Sequence, residues 1–107
     1  MVARQYDIFL VGLDPTVGAE MQKTRPCVVI TPDEMNRHLK TVQIAPLTSN
    51  TNRYPWRVPI SFRRRRGMVA VDQIRTVDKA RLVQRAGRAA PSAIDEIRRV
   101  IREMLVE

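Results

Sequence analysis

Only one of the 107 residues is cysteine and only one is histidine. A lone Cys27 admits no internal disulfide, and one Cys with one His makes no cluster of soft ligands, so neither a metal site nor a cofactor is expected. Cys27 stands in an apolar run beside Val28 and Val29, the setting of a small core residue. His38 falls within Asn36-Arg37-His38-Leu39-Lys40 and reads as solvated surface rather than as a general acid or base. Aromatics are scarce, with two Phe, two Tyr and one Trp. The longest apolar stretches are far below the roughly 20 residues of a membrane span, and the start lacks the basic-then-apolar order of a signal peptide. A cytoplasmic protein without membrane contact is therefore expected. Acidic residues are outnumbered as well: eleven Asp and Glu face nineteen Lys and Arg, a net charge of +8. Such an excess favours an anionic partner by attraction and by counterion release from a phosphate backbone, which puts nucleic acid first.

What is present has the pattern of a small β protein. One domain over residues 1–107 is expected, with a core small enough that dimerisation helps to bury apolar surface. Tyr6 to Val11, Pro26 to Thr31 and Thr41 to Ala45 are short apolar runs rich in β-branched residues, and each reads as a strand. Arg57 to Phe62 alternates Val58, Ile60 and Phe62 with Arg57, Pro59 and Ser61, a half-buried strand that Pro59 assigns to a sheet edge. Its partner is Gly67 to Val71, across a turn of Arg63 to Arg66. Pro32 to Asn36 is expected to form one or two helical turns with Thr31 as N-cap, and Asp78 to Val83 a further short helix. From Pro91 onward Ile94, Ile97, Ile101 and Leu105 recur at helical spacing, widened by Val100 and Met104. Pro91 or Ser92 marks the start, with Asp95 and Glu96 in the first turn. The fold class is mainly β (α+β): a small antiparallel barrel of about five to seven short strands, closed by a C-terminal amphipathic helix.

Between the first two strands lies a long connection, Asp14-Pro15-Thr16-Val17-Gly18-Ala19-Glu20, which runs on to Thr24-Arg25-Pro26. Pro46-Leu47-Thr48-Ser49 follows one strand later, and Val71-Asp72-Gln73-Ile74-Arg75-Thr76 comes after the hairpin. In this order and spacing the four segments resemble those of the MazF/PemK/Kid toxins, small bacterial endoribonucleases that cut messenger RNA. The likeness covers nearly the whole chain. It implies an SH3-like barrel, a homodimer, a type II toxin–antitoxin system and an acidic, partly disordered antitoxin whose tail crosses the RNA groove.

RNA can be cut without metal when its own 2′-hydroxyl attacks the adjoining phosphate, leaving a 2′,3′-cyclic phosphate and a 5′-hydroxyl. The protein must then move two protons and stabilise a doubly negative phosphorane. A guanidinium suits the last task, because its planar donors match phosphate oxygens in pairs. Arg25 at the start of one strand and Thr48 just past the end of another are the candidates, and the resemblance puts them at the family's central active-site positions. Glu20, also at a motif position, is a candidate base or a holder of Arg25. In some relatives an aspartate in the last motif acts with an arginine two residues earlier. Here Asp72 is preceded at that place by Ala70, so that mechanism does not carry over intact.

Single-stranded RNA is gripped by aromatic stacking beside cations, and Arg53-Tyr54-Pro55-Trp56-Arg57 offers such a surface. Trp56 equally fits a core or a dimer interface. The full set of expected RNA contacts is Lys23, Thr24, Ser49, Asn50, Arg53, Tyr54, Trp56, Asp72, Gln73 and Arg75, with Arg63 to Arg66 as a steering patch. Two rival functions carry different signatures. A non-catalytic barrel would bind nucleic acid without cutting it, and a toxin of related fold that poisons DNA gyrase would carry its signature in the terminal helix.

Overall fold

β-Branched residues fit a pleated, half-buried surface better than a helix. In the computed structural model, which describes residues 2–13 and 23–107, the apolar runs become seven strands: β1 (Asp7–Gly12), β2 (Thr24–Val29), β3 (Thr41–Thr48), β4 (Arg57–Phe62), β5 (Arg65–Ala70), β6 (Arg75–Asp78) and β7 (Leu82–Arg88). A short helix α1 (Asp33–His38) separates β2 from β3, and a longer one, α2 (Pro91–Leu105), follows β7. All strand pairs are antiparallel, in the order β4-β5-β3-β2-β1-β7 with β6 beside β3, and the sheet curls into a half-barrel.

β3 is the pivot. One edge pairs with β2, while the other pairs first with β6, over Thr41–Ile44, and then with β5 at Leu47 and Thr48. The change of partner falls at Ala45 and Pro46, and proline brings no N–H to the ladder. Alternation along the strands sends side chains to two cores. Ile8, Val28, Ala45, Val58, Val69 and Val71 pack with Ala93, Ile97 and Val100 of α2. Phe9, Val11, Cys27, Val29, Val42, Ile44, Val77 and Leu82 fill the other face. At the β1–β7 seam the buried Asp7 accepts from Arg85 Nε at 3.1 Å and Nη2 at 3.3 Å, and from Arg88 Nη1 at 3.4 Å.

The structure moves several expected boundaries. Tyr6 has φ 70° in a turn, so β1 begins at Asp7. Thr31 does not cap α1: its buried hydroxyl accepts from Gln43 N–H and donates to the Gln43 carbonyl, and Pro32 takes the cap position without a side-chain bond. β3 does not stop at Ala45, because its later residues find β5 as a new partner, and Thr48 is the strand's last residue rather than the first beyond it. The hairpin turn is Arg63-Arg64 alone, since Arg65 and Arg66 already pair with Phe62 and Ser61. The helix expected over Asp78 to Val83 is one 3-10 turn, Lys79–Arg81, capped by Asp78 accepting from Ala80 N–H. Leu82 then enters the ladder against Val11. β6 and β7 bring the strand number to the top of the expected range.

Pro91 opens α2 at its first position with Ala90, not Ser92, as N-cap, and the first turn holds no acid. Ala93, Ile97 and Val100 are buried and Ile94 and Ile101 half-buried. Met104 and Leu105 leave the core stripe, because the final turn borders an open groove instead of the sheet interior. Among the described residues no helix is long and apolar enough to cross a membrane.

Candidate active site

Arg25 and Thr48 stand on adjacent strands. β2 and β3 pair Val29 with Ile44, Val28 with Ala45 and Cys27 with Pro46, where their ladder ends; the same register extended by two residues would align Arg25 with Thr48. Directly opposed residues of an antiparallel pair project on the same face. On its other side Arg25 lies opposite Val11 of β1, and Thr48 lies opposite Met68 of β5. Four strands, β1, β2, β3 and β5, therefore hold the two positions, with Arg25 exposed and Thr48 half-buried. The Thr48 Oγ1 accepts from Asn50 N–H at 3.2 Å, which orients the hydroxyl and tightens the turn that follows. Asn50 Oδ1 accepts from Asn52 N–H in the same way.

One residue of the close packing here escaped sequence reasoning. A Cβ at Gly67 would stand 2.8 Å from the Thr48 carbonyl oxygen, so β5 approaches β3 at this point only because position 67 has no side chain. The glycine was legible as part of a strand, but its contact with Thr48 exists only once β3 is known to reach β5.

An open pocket of about 520 Å³ lies beside Thr48, lined by Pro26, Leu47, Ser49, Ile60, Phe62 and Gly67 together with Arg63, Arg65 and Arg66. A second, of about 600 Å³, shares Ile60, Arg66 and Gly67 and adds Thr51, Arg53 and the start of α2. Among the described residues, none of the arginines 63 to 66 has a carboxylate within ion-pair distance. Arg63 and Arg64 adopt φ 51° and 64°, the left-handed pair that a two-residue hairpin turn requires and that glycine or asparagine usually supplies. Arg63 also lies over the Phe62 ring, 5.1 Å from its centroid.

Asp72 sits apart from this pocket. In the 3-10 turn Val71–Gln73 it uses both oxygens on Arg57, accepting from Nε at 2.8 Å and Nη2 at 3.2 Å. These hydrogen bonds, before any longer-range charge effect, hold the Arg57 guanidinium above its ordinary pKa. Arg57 was read only as the first residue of a strand within a basic, aromatic stretch. Its place directly opposite Ala70 brings an arginine to Asp72 from the neighbouring strand. Tyr54 and Trp56 stack on each other at the surface, which removes Trp56 from the core.

Arg75 opens β6 opposite Ile44, four residues along β3 from Thr48 and on the same face. Arg25 and Arg75 both lower the pKa of the Cys27 thiol, yet burial outweighs them and pushes it up to about 12. Cys27 is core, as its neighbours in sequence implied. His38 is exposed and faces Glu34. Lys23 is exposed and Thr24 half-buried at the entry to β2, and Gln73 is exposed. Glu20 lies outside the described residues, as does the rest of the first motif, Asp14 to Ala19. No group of three or more His, Cys, Asp or Glu side chains is placed to hold a metal among the described residues.

A half-barrel with a threonine at the end of one strand beside a basic pocket and an arginine near the start of the adjacent strand has close parallels among solved structures. MazE–MazF from Deinococcus radiodurans superposes with a TM-score of 0.82 over 98% of this chain and 96% of that one, at 24% identity. The fold is thus that of the MazF toxins. The model of the PemK-like, MazF-like toxins of type II toxin–antitoxin systems matches residues 4–105, and the chain belongs to that family. Its relatives include the endoribonuclease PemK of Escherichia coli, 36% identical over 100 residues that span 85% of this chain and 73% of the relative. They include also the endoribonuclease toxin MazF of Escherichia coli strain K12, 30% identical over 100 residues, 92% of this chain and 90% of the relative.

Proposed function

We infer that the chain is a toxin endoribonuclease that cuts single-stranded messenger RNA at selected sequences, with Arg25 and Thr48 at the reacting phosphate. The observation that carries this reading is the β2–β3 register, whose continuation would align the two residues, in a chain of the toxin family. In the proposed reaction the 2′-oxygen attacks phosphorus, the phosphorus–5′-oxygen bond breaks, the 2′-proton passes to a base and the 5′-oxygen takes up a proton. The products are a 2′,3′-cyclic phosphate and a 5′-hydroxyl. Arg25 clamps the non-bridging oxygens as negative charge grows on them, the kind of stabilisation that dominates many enzymatic rate gains. Thr48, its hydroxyl fixed by Asn50 N–H, donates to the phosphate or orients the 2′-hydroxyl. Glu20, five positions before Arg25, is the proposed base or the anchor of Arg25.

The arginines 63 to 66, without an ion pair among the described residues, carry the flanking phosphates with Ser49, Asn50 and Arg53, and Lys23, Thr24, Gln73 and Arg75 extend the contact on the other side of Thr48. The net charge of +8 suits this ligand and equally an acidic antitoxin. The protein acts in the cytoplasm, where its substrate is. No metal enters the scheme, so cleavage is expected to persist in EDTA and to give cyclic phosphate ends. An RNA with a 2′-deoxy or 2′-O-methyl group at the cut site should resist; cleavage of that bond in such an RNA, or a strict need for divalent metal, rules the mechanism out.

A further inference from the structure

The surface around Trp56 is more ordered than a loop requires. Tyr54 and Trp56 flank Pro55 immediately before β4, and their rings stack with centroids 5.2 Å apart and planes 10° from parallel. Arg57, the next residue, donates its backbone N–H to the Tyr54 carbonyl at 3.0 Å and sets its guanidinium carbon 5.9 Å from the centroid of the Tyr54 ring. The same guanidinium forks onto Asp72, and the Arg57 side chain keeps only 14% of its exposure. Asp72, Arg57, Tyr54 and Trp56 are thus linked in one continuous series of contacts from a 3-10 turn to the solvent. Trp56, at its outer end, retains 42% exposure.

We propose that this series is a preorganised stacking platform for an unpaired nucleobase, with Arg57 and Asp72 as its positioning residues. The platform rests on the nuclease reading only in that both take single-stranded RNA as ligand. Charge points to a base rather than to a phosphate. Both carboxylate oxygens of Asp72 are spent on Arg57, so the ion pair is closed on itself and the cluster offers flat faces instead of free charge. A stacked aromatic pair has few torsions left to freeze, and a nucleobase of any identity presents a π-face to it. Cations for the phosphates stand close by in sequence at Arg53 and across the hairpin at Arg63 to Arg66. A base held on Trp56 would fix the strand while those arginines follow its backbone.

Trp56 is the only tryptophan of the chain, so the platform reports on itself. The probes are short 2′-O-methyl oligoadenosine and oligouridine, which cannot be cleaved by 2′-oxygen attack. Occupancy is followed by anisotropy of end-labelled strands and tryptophan emission with unlabelled ones. Saturating strand should change Trp56 emission, and Trp56→Ala should weaken binding by about tenfold, the loss expected for one base stack. Asp72→Asn removes a negative charge, and if attraction alone governed the site it would tighten binding. The platform predicts the opposite: weaker binding, together with greater access of acrylamide to Trp56 in the free protein. Arg57→Lys, which keeps the charge but loses the fork, should act in the same direction and carries the test if Asp72→Asn fails to fold by circular dichroism. Unchanged emission at saturation, or an Asp72→Asn variant that binds as tightly as the parent, overturns the platform. Cleavage of ordinary RNA without any emission change would sink the platform and leave the nuclease standing. An emission change without cleavage would do the reverse.

Discussion

A guanidinium at the end of a strand adds little to folding, because its charge is solvated whether the chain is folded or not. Arg25 is exposed near the start of β2, and in the proposed reaction its effect falls on the bound phosphate rather than on folding. Arg25→Ala should therefore leave the circular dichroism spectrum and melting unchanged while slowing cleavage about a hundredfold, roughly the 3 kcal/mol of one lost transition-state donor. Thr48→Ala should slow it less, and both variants should still bind RNA through the remaining arginines. Equal loss of binding and cleavage would make the pair a grip rather than a catalyst. Cys27 behaves in the opposite way, since all of its effect is on folding. Burial raises its thiol from an ordinary value near 9.0 to about 12, so the folded state is favoured while the thiol is protonated. That contribution is fully present below pH 9 and is lost as pH rises towards 12, at no more than about 1.4 kcal/mol per pH unit. Denaturant titrations of the parent and Cys27→Ala across this range should show the parent alone losing stability from this source, and native Cys27 should resist alkylation at neutral pH.

At the scale of elements, the position of Thr48 depends on how closely β5 can approach β3. Gly67 permits that approach, and a methyl group there meets backbone, which cannot rotate away as a side chain would. Gly67→Ala should cost about 1–3 kcal/mol in denaturant unfolding, as overpacking usually does, and should reduce cleavage through displacement of Thr48. A variant with unchanged stability and activity would mean that β3 and β5 part easily and that their contact does not set the site. The hairpin turn shows a related compromise. Two arginines occupy left-handed backbone positions that Asn-Gly would occupy with less strain.

For the whole molecule, Met104, Leu105 and Val106 stand exposed at the end of α2. A homodimer is the proposed state, and sedimentation at micromolar concentration should show a dimer. A fully active monomer throughout that range would exclude a groove shared between subunits. The seam that closes β7 onto β1 is held within the chain itself. Asp7 is buried, while Arg85 and Arg88 that neutralise it remain half-exposed, so the carboxylate rather than the arginines depends on the contact.

The sequence by itself determined what local chemistry can specify. Alternation fixed β4 to the residue, the 3.6-residue period fixed α2, the apolar neighbours of Cys27 fixed its burial, and the order of the four motifs pointed to the toxin family. Boundaries that hang on a distant partner were not legible. β3 runs on to Thr48 because β5 waits beside Leu47, and β6 and β7 are strands because β3 and β1 have open edges, whereas Asp78 to Val83 taken alone reads as a helical turn. The same holds for the site. Arg25 and Thr48 could be singled out as residues, but whether they align depends on register, and register is set by pairing over the full strands. A four-residue turn at Arg63 to Arg66 would have paired Phe62 with Gly67 and Arg57 with Asp72; the two-residue turn pairs Phe62 with Arg65 and Arg57 with Ala70, so Asp72 lies beyond the ladder and reaches Arg57 from the 3-10 turn. Tertiary structure decided these points because a hydrogen-bonded ladder takes its energy from both strands at once, and one strand's sequence describes only half of it.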